Sequence, residues 1–196
     1  MKRREFVKKV GIGSAALASL PTLAHAFFQD EDSDADDQLT ATGFRFVCVS
    51  EAPRVGGILP RVNMNGCCTF NSSRAHGGGS YNEFDQLSPV PRTLFSAGRW
   101  QAGRVLSVNI LGTCGVLAAG TIEMEVRLLQ QIPSRAVIPA RLRVACGIGA
   151  CALDPGELEG FSLTIPDGRF GPFRPFEAAP GLTFGITIFT TGDHED

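Results

Sequence analysis

Apolar and polar residues alternate along much of this chain, and helical periodicity is missing after the first 26 residues. Residues 121–128 give the clearest case, because charged side chains separate the apolar residues from Ile122 to Leu128. Successive side chains of a strand point to opposite faces, so this period of two predicts a half-buried strand. Residues 43–49 repeat the pattern, with Phe44 and Phe46 expected on one face.

Further alternating or β-prone runs extend the prediction over the rest of the chain. Turn signals rich in glycine, proline and asparagine separate them, and Asn65-Gly66 predicts a type I′ hairpin. About eight to ten short strands without a crossover helix predict an all-β domain over residues 40–192, a single antiparallel β-sandwich (jelly-roll-like) or a barrel. The further runs are residues 105–111, 140–144, 161–165 and 182–189, with shorter ones near 61–64, 67–70, 81–84 and 93–95.

Residues 166–180 combine several prolines with three phenylalanines, Phe170, Phe173 and Phe176. Prolines disfavour a regular central strand, whereas the aromatic rings favour burial. We therefore expect a long loop that packs on the core, with a binding surface as the alternative.

The N-terminus carries basic residues, then an apolar run at residues 10–23, then Ala24-His25-Ala26. Such an arrangement is typical of a cleavable secretory signal, which we assign to residues 1–26. The apolar run contains glycine, serine and proline and is too short to span a bilayer. We therefore expect no stable membrane anchor after cleavage.

Within this signal, residues 3–8 read Arg-Arg-Glu-Phe-Val-Lys. The run resembles the twin-arginine export motif, although Lys2 and Val7 replace the usual Ser or Thr and the usual Leu. The resemblance implies that the twin-arginine export machinery is a partner and that the protein leaves the cytoplasm already folded, sometimes with a cofactor inserted. The expected location is the periplasm or the extracellular medium.

Charge and composition restrict the chemistry of the mature chain. All three lysines lie in the signal, which excludes lysine-based catalysis after cleavage. Residues 27–39 hold six acidic residues between Asp30 and Asp37 and are expected to form a disordered linker; residues 193–196 form an acidic tail. No basic excess remains to bind nucleic acid.

The mature chain carries six cysteines, an even number that suggests up to three disulfides in an exported protein. Cys146 and Cys151 could close a small loop, while Cys67 and Cys68 must point to opposite faces of a strand. The pairing stays open among Cys48, Cys67, Cys68, Cys114, Cys146 and Cys151.

No cofactor is predicted, and a metal site is the alternative. Zinc and iron–sulfur sites commonly use cysteines separated by two residues. The spacings here are zero and four, and no histidine or methionine accompanies the later cysteines in a copper-like arrangement. The metal-ligand candidates are Cys67, Cys68, Cys146 and Cys151.

Two sets of residues could support catalysis. His76 lies in a glycine-rich stretch that we expect to be a mobile surface loop, with Glu83 and Asp85 nearby in sequence. Glu123 and Glu125 share one face of a strand, and a pair of carboxylates is what glycoside hydrolysis uses. Charged pairs of this kind are also common on solvated strand faces.

These observations favour a soluble exported protein with a binding or structural role outside the cytoplasm, rather than an enzyme. A metal- or cofactor-carrying protein and a secreted hydrolase are the alternatives. An exposed sheet edge could also support a homo-oligomer.

Overall fold

The computed structural model describes residues 42–148 and 151–191. These residues form eleven β-strands and no α-helix, which confirms the predicted all-β fold. The strands are β1 (Thr42–Glu51), β2 (Pro60–Phe70), β3 (Ala75–Asp85), β4 (Leu94–Cys114), β5 (Leu117–Ile132), β6 (Ala136–Cys146), β7 (Gly160–Thr164), β8 (Arg174–Pro175), β9 (Glu177–Ala179), β10 (Leu182–Thr183) and β11 (Gly185–Thr191). Several are longer than predicted, since β4 has 21 residues and β5 has 16.

Strands β1 to β7 form an antiparallel meander in which each strand pairs with the next. β11 pairs with β1 and also reaches β5, where Phe189 lies opposite Ala118. At the other end of β1, β8 pairs with Ser50 and Glu51, and Leu163 of β7 forms a bridge with Phe173. The sheet therefore closes on itself into a barrel-like fold around one core.

The alternation predicted for β1 and β5 is confirmed. Phe44, Phe46 and Cys48 of β1 are buried, while Arg45 and Val47 between them are exposed. In β5 the apolar residues point inward and the charged residues point outward. The inward set is Ile122, Met124, Val126 and Leu128, and the outward set is Glu123, Glu125 and Arg127.

Aromatic side chains fill much of the interior. Phe44 is a centre of these contacts, since its ring centroid lies 6.0 Å from that of Phe46 and 5.7 Å from that of Phe189. Phe46 in turn lies 5.8 Å from the Trp100 ring. Full burial of one large apolar side chain stabilises a fold by roughly 1.5–3 kcal/mol, so this cluster contributes substantially to the free energy of folding.

The predicted hairpin turn at Asn65-Gly66 is wrong. Both residues lie in the middle of β2, where Gly66 pairs with Phe46 on one side and with Gly79 on the other. A side chain at Gly66 would overlap the Trp100 indole. The indole Nε1 donates a hydrogen bond to the Asn65 carbonyl at 2.9 Å. Close approach of Trp100, not a turn, explains why glycine suits this position.

The predicted mobile loop around His76 is also wrong, because Ala75–Asp85 form β3 between β2 and β4. A Cβ on Gly78 would overlap the Trp100 backbone, and one on Gly79 would overlap the Asn65 backbone. The glycine run therefore allows neighbouring strands to approach closely. His76 itself is exposed.

The aromatic segment at residues 166–180 packs on the core, as predicted. Phe170 and Phe173 are 7% and 1% exposed. Phe176 is half-buried beneath the Arg61 guanidinium, whose carbon lies 3.7 Å from the ring centroid. Two short strands, β8 and β9, interrupt this segment.

The expected signal peptide at residues 1–26, the acidic linker at 27–39 and the acidic tail at 193–196 all lie outside the described residues. Within the part of the chain that the structure describes, no helix is long and apolar enough to cross a membrane.

Candidate functional site

One cleft of the molecule combines an apolar lining with a buried carboxyl group, and we call it the Glu83 cleft. Its volume is about 470 Å³. The walls come from the end of β3, the start of β4, the later part of β5, the start of β6 and the segment after β7. Small-molecule sites are commonly clefts of roughly 300–1,000 Å³ with a few polar groups among apolar ones. The lining includes Glu83, Phe95, Ser96, Ile138, Arg169 and Phe170.

Glu83 faces the interior because of its position in β3. Tyr81, two residues earlier on the same face, is 1% exposed, and Glu83 is 9% exposed. Ser96 of β4 is paired directly opposite Glu83. Burial removes the water that stabilises an ionised carboxylate, and it raises the pKa of Glu83 to about 7, against the opposing charge of Arg169. Glu83 therefore changes charge near neutral pH.

The Glu83 carboxyl accepts no hydrogen bond from the described residues. The hydroxyls of Tyr81, two residues earlier on β3, and of Ser96, opposite on β4, bond to each other at 2.9 Å. No fully buried side-chain nitrogen or oxygen in the described part of the chain lacks a partner, so the Glu83 oxygens must open to the cleft. A carboxyl so placed is available to a ligand.

Arg169 lies against two aromatic rings of the same cleft. Its guanidinium carbon is 4.9 Å from the Phe95 ring centroid and 5.1 Å from the Phe170 ring centroid. The two rings are themselves 5.1 Å apart. A cation within about 6 Å of an aromatic centroid is attracted to the electron-rich face of the ring. The faces of Phe95 and Phe170 are thus in contact with the positive charge of Arg169.

A tight turn after β7 places Arg169 in this position. The Gly168 N–H donates a hydrogen bond to the Ile165 carbonyl at 3.0 Å. Asp167 between them adopts a left-handed backbone with φ of 59°, which Asp tolerates better than most residues. Asp167 also lines the cleft, so one turn supplies both a carboxyl group and a guanidinium group to the site.

The remaining walls of the Glu83 cleft are largely apolar. Leu128 and Phe173 are 1% exposed and belong to the core, while Ile138 and Ile165 are partly buried against it. A ligand in the cleft would therefore exchange water for apolar surface, at a gain of about 25 cal/mol per Å² buried. This lining suits a ligand with an apolar body and one polar group.

The catalytic candidates from the sequence lie outside this cleft. His76 is exposed on β3, while Glu123 and Glu125 lie on the outer face of β5. Arg104 donates a hydrogen bond to Glu125 at 2.6 Å and holds the pKa of that carboxyl below its ordinary value. A glycosidase general acid needs the opposite shift. Glu123 lies 3.8 Å from Arg143, its cross-strand neighbour on β6.

The six cysteines have different environments. Cys114 and Cys151 form a disulfide, with Cα atoms 6.4 Å apart. Cys146, considered above as a partner for Cys151, is instead a buried free thiol. Cys67 and Cys68 lie on opposite faces of β2, as predicted, and Cys68 is the buried member.

A second group of polar atoms surrounds Thr187 of β11, and we call it the Thr187 cluster. The Thr187 N–H donates a hydrogen bond to Glu159 Oε1 at 3.1 Å. The Cys146 thiol donates to the Thr187 carbonyl at 3.2 Å. Cys48 Sγ lies 3.5 Å from Thr187 Oγ1. Backbone and hydroxyl groups of Thr187 are therefore all partnered within the protein.

The cysteine environments bear on the metal candidates Cys67, Cys68, Cys146 and Cys151. Thiolates bind metals, and burial raises the pKa of Cys68 and of Cys146, which favours neutral thiols. Cys151 is held in its disulfide. No three His, Cys, Asp or Glu residues converge on a point that could hold an ion within residues 42–148 and 151–191.

From the sequence, Glu83 stands out only as a neighbour of His76, and the cleft is not predicted. A local signal was available, because strand alternation places Glu83 on the same face as the aromatic Tyr81. A carboxyl on an inward face is rare and suggests a functional site. Arg169 and Phe95 had no such signal, since they meet Glu83 only through the folded topology.

The fold and this site stand without support from related proteins. Comparison of the chain with protein-family models, with curated proteins and with solved structures finds no match.

Proposed function

We propose that this chain is an exported binding protein whose Glu83 cleft takes a small molecule with an apolar body and a polar head group. The observation that carries the proposal is the largely buried Glu83, whose carboxyl makes no hydrogen bond within the described residues and opens into a largely apolar cleft of about 470 Å³. A protein rarely buries such a group without a partner, because desolvating it costs free energy. A ligand group that pairs with the carboxyl would recover part of that cost.

The proposal of export rests on the N-terminal sequence. Arg3 and Arg4 belong to the run that resembles the twin-arginine motif, which would deliver a folded protein to the periplasm or the medium. The Cys114–Cys151 disulfide is compatible with an oxidising compartment. Measurement of the N-terminal residue of protein recovered from the native host would test cleavage after Ala26.

Binding is favoured over catalysis by the composition of the cleft. Ser96 is its hydroxyl-bearing residue nearest to Glu83, and that hydroxyl is engaged by Tyr81 rather than by a base. A nucleophile needs an adjacent base within hydrogen-bond reach to be activated. Glu83 is therefore better suited to fix the orientation of a ligand than to activate a nucleophile.

The test is a titration with N-phenyl-1-naphthylamine, an uncharged fluorophore whose emission increases in apolar surroundings. The variant Ile138→Trp places a larger side chain in the cleft, and Leu111→Trp makes a comparable change at the distant end of β4. We expect saturable binding to the wild type and to Leu111→Trp. Ile138→Trp should bind at least about tenfold more weakly, which is a loss of about 1.4 kcal/mol.

Equal binding by the two variants would place the fluorophore elsewhere and contradict the proposal. Absence of saturable binding to the wild type would also contradict it. The near- and far-ultraviolet circular dichroism of both variants should match that of the wild type, which separates loss of binding from loss of fold.

A further inference from the structure

The charged groups of the Glu83 cleft determine its net charge. Glu83 comes from β3, and Asp167 and Arg169 come from the turn after β7. The cleft residues of β4, β5 and β6 carry no charged side chain. When Glu83 is protonated, Asp167 and Arg169 balance each other. When Glu83 is ionised, the cleft carries a net negative charge that a bound cation would neutralise.

The positions of Glu83 and Arg169 within the cleft strengthen the preference for a bound cation. Glu83 is 9% exposed and lies in the wall, whereas Arg169 is exposed on the rim. The ion pairs formed by the described residues do not include one between these two groups. A charge on a ligand that enters the cleft therefore meets a Glu83 carboxyl that feels the charge of Arg169 but forms no ion pair with it.

The aromatic rings offer a cation a second contact, at the place that Arg169 now occupies. Phe95 and Phe170 already hold the Arg169 guanidinium at 4.9 and 5.1 Å from their centroids. Aromatic faces attract organic cations and offer nothing comparable to an anion. Because Arg169 is exposed, its side chain can move into solvent and leave its place on these rings to a ligand cation.

An anionic head group would meet the opposite conditions. It would have to approach Glu83 and Asp167, and it would be tolerated only while Glu83 stayed protonated. Its one favourable partner would be Arg169 at the rim, where solvent weakens an ion pair. The same cleft therefore disfavours a carboxylate or phosphate ligand.

From these observations we infer that the Glu83 cleft selects an organic cation, a primary ammonium or guanidinium group on an apolar body, with the Glu83 carboxylate as its counter-ion. This inference rests on the proposed function, because it names the ligand class of the same site. Glu83 is here a binding residue. Cation binding stabilises its ionised form, so binding at pH 6 should release a proton.

The experiment compares three ligands that share one apolar body: phenylbutylammonium, phenylbutanol and phenylbutanoate. Isothermal titration calorimetry of the full exported chain at pH 8 measures the three dissociation constants. Titrations at pH 6 in two buffers of different ionisation enthalpy give the number of protons released. The variants are Glu83→Gln and, as a matched control on the outer face of β5, Glu123→Gln.

We expect phenylbutylammonium to bind at least about tenfold more tightly than phenylbutanol, and phenylbutanoate to bind more weakly than both. In Glu83→Gln the ammonium and the alcohol should bind equally, with no proton release. Glu123→Gln should behave as the wild type. Retained alcohol binding in Glu83→Gln would show that this variant still folds and still forms the cleft.

Two results would overturn the inference and they differ in scope. If the uncharged ligands bind the cleft but the ammonium gains nothing, or the carboxylate binds best, the ligand class is wrong and the proposed function stands. If none of the three ligands binds and the fluorophore also fails, both the proposed function and the ligand class are wrong.

Discussion

The Thr187 cluster and the Glu83 cleft both place polar groups inside an apolar fold, but they do so differently. Around Thr187 the protein supplies the partners itself, through Glu159, Cys146 and Cys48. At Glu83 it supplies no hydrogen bond, and the carboxyl opens to a cleft.

This difference separates structural polar groups from functional ones. A buried group whose hydrogen bonds are complete stabilises one conformation and offers nothing to a ligand. A largely buried group without a protein partner costs stability, and a ligand group that pairs with it recovers part of that cost. The predictions below test each side of the contrast, beginning with the largest expected effect.

The largest effect is expected at Glu83. Its pKa is raised from 4.5 to about 7, so between these pH values the folded chain holds more protons than the unfolded chain. The free energy of unfolding therefore falls as pH rises through this window, by up to about 3 kcal/mol. Glu83→Gln removes this dependence. The stability of the variant relative to the wild type should rise by up to that amount from pH 4.5 to pH 8 in urea unfolding.

Glu123→Gln is the control for this measurement, because Glu123 lies on the outer face of β5 near Arg143. Its stability relative to the wild type should show no comparable rise with pH. If the stability of Glu83→Gln relative to the wild type also stays constant with pH, Glu83 is not desolvated. The contrast with the Thr187 cluster would then fail.

The second-largest effect on stability is expected in the Thr187 cluster. Glu159→Ala leaves the buried Thr187 N–H without its acceptor, and we expect a loss of about 1–3 kcal/mol in the free energy of unfolding. Glu157→Ala is the matched control, since Glu157 pairs with Arg143 in solvent and its loss should cost less than about 1 kcal/mol. Chemical denaturation measures both losses. Equal losses in the free energy of unfolding of the two variants would contradict a closed hydrogen-bond network around Thr187.

A smaller effect is expected from the thiols. Cys146→Ala removes the buried donor to the Thr187 carbonyl, whereas Cys67→Ala alters a half-buried side chain with no hydrogen bond in the described residues. The first change should cost about 1 kcal/mol more than the second in guanidinium unfolding. A larger cost for Cys67→Ala would show that the thiol contact contributes little.

The smallest change in stability is expected at Arg169, an exposed residue whose replacement by Gln should alter the free energy of unfolding by less than about 0.5 kcal/mol. Its charge nevertheless lowers the pKa of Glu83. Arg169→Gln should therefore move the titration midpoint of Glu83 upward, as followed by carboxyl carbon-13 NMR. Arg135→Gln, which lies outside the Glu83 cleft, should leave the midpoint in place.

Local pattern was sufficient to predict much of the fold. Alternation identified the inward faces of β1 and β5, because burial of every second residue is a property of the strand itself. The same rule predicted that Cys67 and Cys68 separate. The Asn-Gly turn signal, by contrast, failed at Gly66, because the need for glycine there depends on Trp100, a residue 34 positions away in sequence that packs across it only in the folded sheet.

The site was harder to predict for the same reason. Glu83, Phe95 and Arg169 come from three separate segments that the closure of the sheet brings together. The glycines before Glu83 also suggested a loop, since their role in close strand contact cannot be seen without the neighbouring strands. The charge and chemistry of these residues can be read from the sequence, but the proximity of the residues in the fold cannot.

The account is tested most directly by the carboxyl titration of Glu83, followed by carbon-13 NMR with and without phenylbutylammonium. A desolvated carboxyl without a protein partner should titrate near pH 7 in the free protein, and the bound cation should lower that midpoint. A midpoint near the ordinary value of 4.5, unchanged by the cation, would contradict both the environment assigned to Glu83 and its role in binding.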